Sequence, residues 1–359
     1  MPKKVLYIVH RMEYSGAPIS LLRVIKHLDR SRFEPTVLAA RPGPMLSEYR
    51  DQGITCWLWK ERENFFSKTD ILRLAYLIAK NHFDIVHVNT GILPAAALAA
   101  GLSPAKCVWH LREVPKQRPN WRWRLAQKFT DLFIFNHYHT YNSLAKMVKF
   151  KNWKVVYNGI EIPPELPAQK DPSPNFKIAM VSNLEPPKGQ IYLVEAMAEI
   201  KKRHPRLELH LLGECFDQKY LAEVKSRAEK LGVLGEITFH GRVSEPGKIV
   251  RDCDLVAHTA INEAASGNII LEAMALGKPV VAFWGGEPPE MIKEGETGYL
   301  VPRPDTQLLA ERIVLLIENI DLRNQMGKNA YREVKKRFSA DVIAKEMMDT
   351  YNLLLVGTI

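Results

Sequence analysis

At 359 residues, with 46% hydrophobic and 25% charged residues, the chain has room for two domains of roughly 150 to 190 residues and is unlike a disordered or fibrous protein. No stretch reaches the roughly 18 to 20 apolar residues that cross a bilayer, and the short apolar run after MPKK is no signal peptide, so any membrane contact is expected to be peripheral. The cysteines, Cys56, Cys107, Cys215 and Cys253, lack CxxC spacing, which argues against a disulfide framework or zinc and for a reducing cytoplasm.

The first predicted strand is VLYIV (5–9), followed by the turn YSGAP and a helix over 18–28, PISLLRVIKHL. Ser15 and Gly16 lie at the handover, and Pro18 suits an early helical position. Backbone N–H groups at Gly16 could face a phosphate or a sugar hydroxyl, although glycine in such a turn often serves geometry alone. Strands follow at 35–40, 54–59, 84–88, 107–111, 131–135 and 154–158, separated by helix-length segments such as ILRLAYLIAK (71–80). This alternation predicts parallel α/β architecture.

The net charge of +10 is concentrated here: residues 1–165 hold 25 Lys and Arg against 13 Asp and Glu, net +12, and the remainder holds 25 against 27. Residues 106–154 alone carry 11 basic and 2 acidic side chains, interleaved with Trp121 and Trp123. Either an anionic membrane surface or phosphate-bearing acceptor meets this stretch, or it is a solvated basic face with both tryptophans in a core. Nucleic acid is not expected as a partner, because no recognisable binding module accompanies the charge. His110 sits at the end of the CVWHL strand, where a histidine can orient a substrate or simply pack.

Five prolines in fourteen residues mark 162–175 as a linker. A second α/β series then begins at FKIAMVSNL, with strands at 207–213, 237–241, 255–259, 279–283 and 298–302 and closing helices near 306–319 and 340–355. Three of its features carry chemistry. Lys188, with Gly189 beside it, is expected at the start of a helix, placing a cation where a diphosphate meets a helix N-terminus. Glu263 precedes the small-residue turn Ala264, Ala265, Ser266 and Gly267, and Glu272 lies on the following helix, where a carboxylate can take the vicinal hydroxyls of a ribose. Gly267 and Asn268 are expected to bring backbone amides to the donor sugar or phosphate.

LEAMALGKPVV (271–281), the Lys188–Gly189 pair, YNGIEI (157–162) and WHLREV (109–114) together resemble family 4 of the glycosyltransferases, also described as glycosyl transferases group 1. The resemblance covers nearly the whole chain and implies a GT-B fold: two Rossmann-like domains facing each other across a cleft. The first would span 1–165, with a C-terminal helix at about 340–359 packing back on it, and the second, nucleotide-sugar-binding domain would span 166–339. It implies that Glu272 binds the donor ribose and Lys188 the diphosphate, that Gly16 lies close to the phosphates, and that His110 lines the reaction centre. Two departures stand out. Asn183 occupies the place of a usual arginine, and eight residues rather than seven separate Glu263 from Glu272. Either the turn carries an insertion or Ala264 fills the first position; we favour the insertion, because EAASGN keeps both an acid and a glycine.

The implied activity is retaining glycosyl transfer without a metal, from a nucleoside-diphosphate sugar to a sugar, polysaccharide or lipid-linked acceptor. No cofactor is needed beyond the donor. Charge on the departing diphosphate would be met by Lys188 and helix amides, Glu263 would contact the donor sugar, and the leaving phosphate would help remove the acceptor proton. No acidic pair stands out as a magnesium site. The competing readings are a GT-B epimerase, a nucleotide-sugar-binding protein without transferase activity, for which Asn183 is the best argument, and a basic surface adaptor.

Overall fold

The computed structural model describes residues 1–59, 68–114, 119–168, 174–261 and 267–358. The chain divides into two compact units, Met1–Gly159 with Ser339–Ile359, and Ile160–Phe338.

The first unit is built on a seven-stranded parallel sheet. Its strands are β1 (Lys3–Arg11), β2 (Phe33–Arg41), β3 (Thr55–Leu58), β4 (Ile85–Val88), β5 (Lys106–Leu111), β6 (Leu132–Phe135) and β7 (Trp153–Val155), in the order β3-β2-β1-β4-β5-β6-β7. Near-continuous runs of Val, Ile, Leu and Phe fit strands covered on both faces. One face carries Tyr7, Val37, Ile85 and Val108 against the helix Gly16–Lys26 and the C-terminal helix Ala340–Leu355. The other buries Leu6, Val86 and Trp109 against the alanine-rich helix Pro94–Gly101 and the helix Trp121–Lys128.

The second unit repeats the plan with β8 (Phe176–Val181), β9 (Leu207–Leu212), β10 (Ile237–Gly241), β11 (Leu255–His258), β12 (Val280–Phe283) and β13 (Gly298–Val301), in the order β10-β9-β8-β11-β12-β13. Both orders run outward from the first strand of the unit and then reverse. In open sheets of this kind the ligand crevice lies outside the carboxyl ends of the strands at that reversal, between β1 and β4 and between β8 and β11.

Two elements differ from expectation. The stretch 320–337 is a helix of 18 residues, Ile320–Arg337, although nothing in the sequence pattern marks it. Its buried stripe is thin, Met326, Gly327, Ala330, Tyr331 and Val334, on a helix otherwise crowded with charge. An Asp-X-Asp that the sequence reading passes over, Asp252 to Asp254, falls at the amino end of β11. There Asp254 accepts the Lys177 N–H at 2.8 Å and lies 3.6 Å from Arg323, so it holds two strands in register at the edge opposite the crevice.

Candidate functional site

In the second unit the chain leaves β8 through Ser182 and Asn183 into a 3-10 turn, Pro186–Lys188, and enters the helix Gln190–Lys201. Lys188 therefore ends that turn rather than starting the helix. Two prolines pre-set the turn, and Gly189 follows at φ +72°, a left-handed conformation in which an added Cβ would also collide with the Thr259 carbonyl oxygen. Thr259, one residue past β11, donates its hydroxyl to the Gly189 carbonyl at 2.9 Å, and the Ile261 N–H donates to the Pro187 carbonyl at 3.0 Å. Lys188 is thus pinned at the reversal of strand order by two hydrogen bonds from the one segment that follows β11, distant in sequence. The side chain of Asn183 is exposed, while its carbonyl accepts Nε2 of the buried Gln190 at 2.8 Å.

Lys188 acts electrostatically on two buried groups. Burial, and then the charge of Lys188, lowers the His258 pKa to about 4, so this histidine is neutral at physiological pH. Burial raises Glu287 to about 8, against the opposing pull of the Gly267 N–H and of Lys188. Glu287 Oε2 accepts that N–H at 2.6 Å. The amide of Gly267, expected to face the donor, is bonded within the chain to this carboxylate. Gly267 caps the helix Asn268–Ala275, and an added Cβ there would collide with Met291 and the Glu287 carboxylate. Asn268 and Glu272, four residues apart, share one side of that helix, and both are half-buried. Glu263 and Ala264 lie outside the described residues.

Sequence reasoning missed His258, Glu287, Gln190 and Arg303, which sit among apolar or loop residues and acquire partners only by folding. Arg303, just beyond β13, donates Nη1 to the Ile261 carbonyl at 2.7 Å and packs where a Cβ on Gly285 would stand.

In the first unit, Gly16 opens the helix Gly16–Lys26 after β1, and the next residue, Ala17, accepts Asn89 Nδ2 at 3.3 Å, tying this turn to the end of β4. His110, 1% exposed near the end of β5, belongs to a buried polar cluster. His110 Nδ1 lies 3.1 Å from His87 Nε2 and 3.4 Å from Arg112 Nη2, and His87 Nδ1 lies 2.6 Å from the Tyr351 hydroxyl. Arg112 also donates to Asn89 Oδ1 at 2.9 Å and to Asn158 Oδ1 at 2.5 Å, which links the WHLREV and YNGIEI motifs directly. Burial lowers His87 to about 3 and His110 well below the usual histidine range, with Arg112 adding to both. Both imidazoles are neutral at physiological pH.

The basic stretch divides. Trp123 is buried, with its ring 4.8 Å from that of Trp109, whereas Trp121 is 67% exposed with the Arg122 guanidinium 5.4 Å over its ring. Among the described residues no helix is long and apolar enough to cross a membrane.

Two Rossmann-like units, each with a polar cluster at the reversal of its strand order, define a protein of the GT-B fold. Solved structures agree: the chain resembles Alr3699/HepE of Anabaena in complex with UDP at a TM-score of 0.84 and 24% identity, covering 97% of this chain and 99% of that one. It also resembles a glycosyltransferase from Rickettsia africae ESF-5 at a TM-score of 0.82 and 20% identity, covering 99% of each chain. Family models match in succession, "Glycosyltransferase Family 4" over 14–162 and "Glycosyl transferases group 1" over 163–333. The chain belongs to family 4 of the glycosyltransferases. Among curated relatives it is 30% identical over 179 residues to the putative glycosyltransferase EpsD of Bacillus subtilis, matching 50% of this chain and 45% of that protein. It is 32% identical over 180 residues to the D-inositol 3-phosphate glycosyltransferase of Corynebacterium efficiens, matching 49% and 42%. The chain thus spans less than half the length of these two relatives.

Proposed function

We propose that this chain is a retaining, metal-independent glycosyltransferase that moves a sugar from a nucleoside-diphosphate sugar to a sugar, polysaccharide or lipid-linked acceptor. The observation that carries the reading is Lys188, a cation held at the strand-order reversal beside a helix N-terminus and close enough to shift both His258 and Glu287. A cation there neutralises charge as it gathers on the leaving diphosphate, the work a metal would otherwise do. Glu272, one turn into the helix Asn268–Ala275, is assigned to the ribose hydroxyls, and Gly16 to the phosphate side of the first unit. In a same-face transfer the departing phosphate takes the acceptor proton, so His110 orients the sugar and need not act as a base.

UDP and UDP-glucose, each bound in solved HepE complexes, are the first nucleotides to try, with the GDP and ADP series as competitors. A ligand that binds only the native state raises Tm, and the matching nucleotide is expected to do so in a thermal-shift titration. Failure of every nucleotide would overturn the reading. With the donor identified, Lys188→Ala should cut turnover of radiolabelled sugar by at least about a hundredfold, the scale of losing one oxyanion-stabilising group. EDTA should leave wild-type turnover intact, and the product anomer should match that of the donor.

The basic excess of the first unit, with exposed Trp121 beside Arg122, favours a lipid-linked acceptor reached at the inner face of an anionic membrane.

A further inference from the structure

Tyr7 on β1 and His87 on β4 are partners in register, and His87 faces Val108 on β5, two residues before His110. Side chains two apart along a strand share a face. All three polar rings therefore stand on one side of the sheet, the side covered by the C-terminal helix that carries Tyr351. The hydroxyl oxygens of Tyr7 and Tyr351 lie 3.3 Å apart, and the row continues through the His87 and His110 contacts given above.

Only one set of proton positions fits this row. Arg112 can only donate, so the His110 nitrogen it faces, Nδ1, carries a lone pair. His87 Nε2 faces the same Nδ1 at 3.1 Å and must therefore carry a proton, since two lone pairs would otherwise oppose each other. His87 is neutral, so its Nδ1 is bare and takes the Tyr351 hydroxyl proton at 2.6 Å. With that proton committed, the hydrogen between the two tyrosines is that of Tyr7. His110 is left as a neutral imidazole whose one proton is on Nε2, a buried nitrogen with no hydrogen-bond partner among the described residues. An unpaired buried donor is costly, and such groups cluster where a ligand oxygen completes them.

We propose that Tyr351, acting through His87 and together with Arg112, is a positioning residue that holds His110 as an Nε2–H donor to an oxygen of the bound sugar. The proposal rests on the transferase reading and deepens it: the C-terminal helix, through Tyr351 and His87, reinforces the Arg112 contact in fixing which nitrogen His110 offers. His110 has no lone pair to spare for a base, because Nδ1 is already shared by two donors.

The test has two arms. In the full chain labelled with ¹⁵N-histidine, imidazole shifts at neutral pH should show a proton-bearing Nε2 and a bare Nδ1 on His110. They should also show a mixed tautomer on His87 in Tyr351→Phe. The wild-type half of this arm needs no substrate and does not depend on how the variant folds. The second arm is a double-mutant cycle. Tyr351→Phe should lower kcat/KM about three- to tenfold, the loss of one neutral hydrogen bond. His110→Gln, whose amide N–H reaches about as far as Nε2–H and has no tautomer to set, should keep turnover within about tenfold of wild type. Adding Tyr351→Phe to His110→Gln should then cost nothing more. An Nδ1-protonated or charged His110, an equal Tyr351→Phe loss in both backgrounds, or unchanged turnover in His110→Ala would each overturn the proposal. The transferase reading stands or falls separately, on nucleotide binding and Lys188→Ala.

Discussion

Glu287 shows how far a single residue can be moved by its surroundings. In the folded chain its carboxyl binds a proton up to about pH 8, against an ordinary value of 4.5. Between those values the native state holds more protons than the unfolded state, so stability falls as pH rises. The contribution is fully present below the unfolded pKa and is lost as pH rises through about 8. His258, lowered to about 4, acts in the opposite sense: its neutral form is favoured natively, and stability drops as pH falls below the ordinary 6.5. Glu287→Gln, which keeps a polar group facing the Gly267 N–H and removes the titration, should flatten the stability-pH curve between about 4.5 and 8. Denaturant midpoints at pH 6 and pH 8.5 check it, and parallel curves for variant and wild type would count against it. Of the residues assigned to the site by motif, Lys188 and Glu272 stand out in the sequence because a cation after a strand and a carboxylate in an apolar helix are conspicuous. Glu287, His258 and Arg303 do not, since what each meets, the Gly267 N–H, the charge of Lys188 and the Ile261 carbonyl, lies 20 to 70 residues away.

At the scale of an element, the helix Trp121–Lys128 separates two readings that the basic-aromatic pattern left open. Trp123 belongs to the aromatic core with Trp109, Phe133 and Phe150, and Trp121 to the surface. Trp123→Ala should therefore destabilise the first unit by about 3 to 5 kcal/mol, the range for truncating a buried large aromatic. Trp121→Ala should leave the denaturation midpoint almost unchanged but weaken co-sedimentation with vesicles containing anionic lipid. Equal binding of the wild type to neutral vesicles would remove the electrostatic account of this surface. The strands were legible because a doubly covered parallel strand is a short apolar run with little alternation. The helix Ile320–Arg337 was not, because its narrow buried stripe is diluted by charged residues on the remaining faces.

At the scale of the molecule, the C-terminal helix joins a unit whose other residues end at Gly159, although about half the chain lies between them. It buries Ile343, Ala344, Met347, Tyr351 and Leu354 against strands from the beginning of the chain, and Ala340 packs so closely on Gly159 that a Cβ there would stand 3.0 Å from its Cα. Deleting 340–359 removes this cover from one sheet face and takes Tyr351 from His87. The truncated chain should be largely insoluble or, where soluble, strongly reduced in donor turnover; expression yield and a turnover assay decide it, and unchanged behaviour would refute the packing argument.

The amino-acid order by itself determined the α/β class, the family and the Lys188 segment, because apolar runs and strand-to-helix turns are local patterns. The protonation of His110, the engagement of the Gly267 amide by Glu287, the division of the two tryptophans and the structural use of Asp254 were decided by tertiary structure alone. Each depends on desolvation or on a hydrogen-bond partner tens to hundreds of residues away, and no local pattern encodes which strand ends will meet.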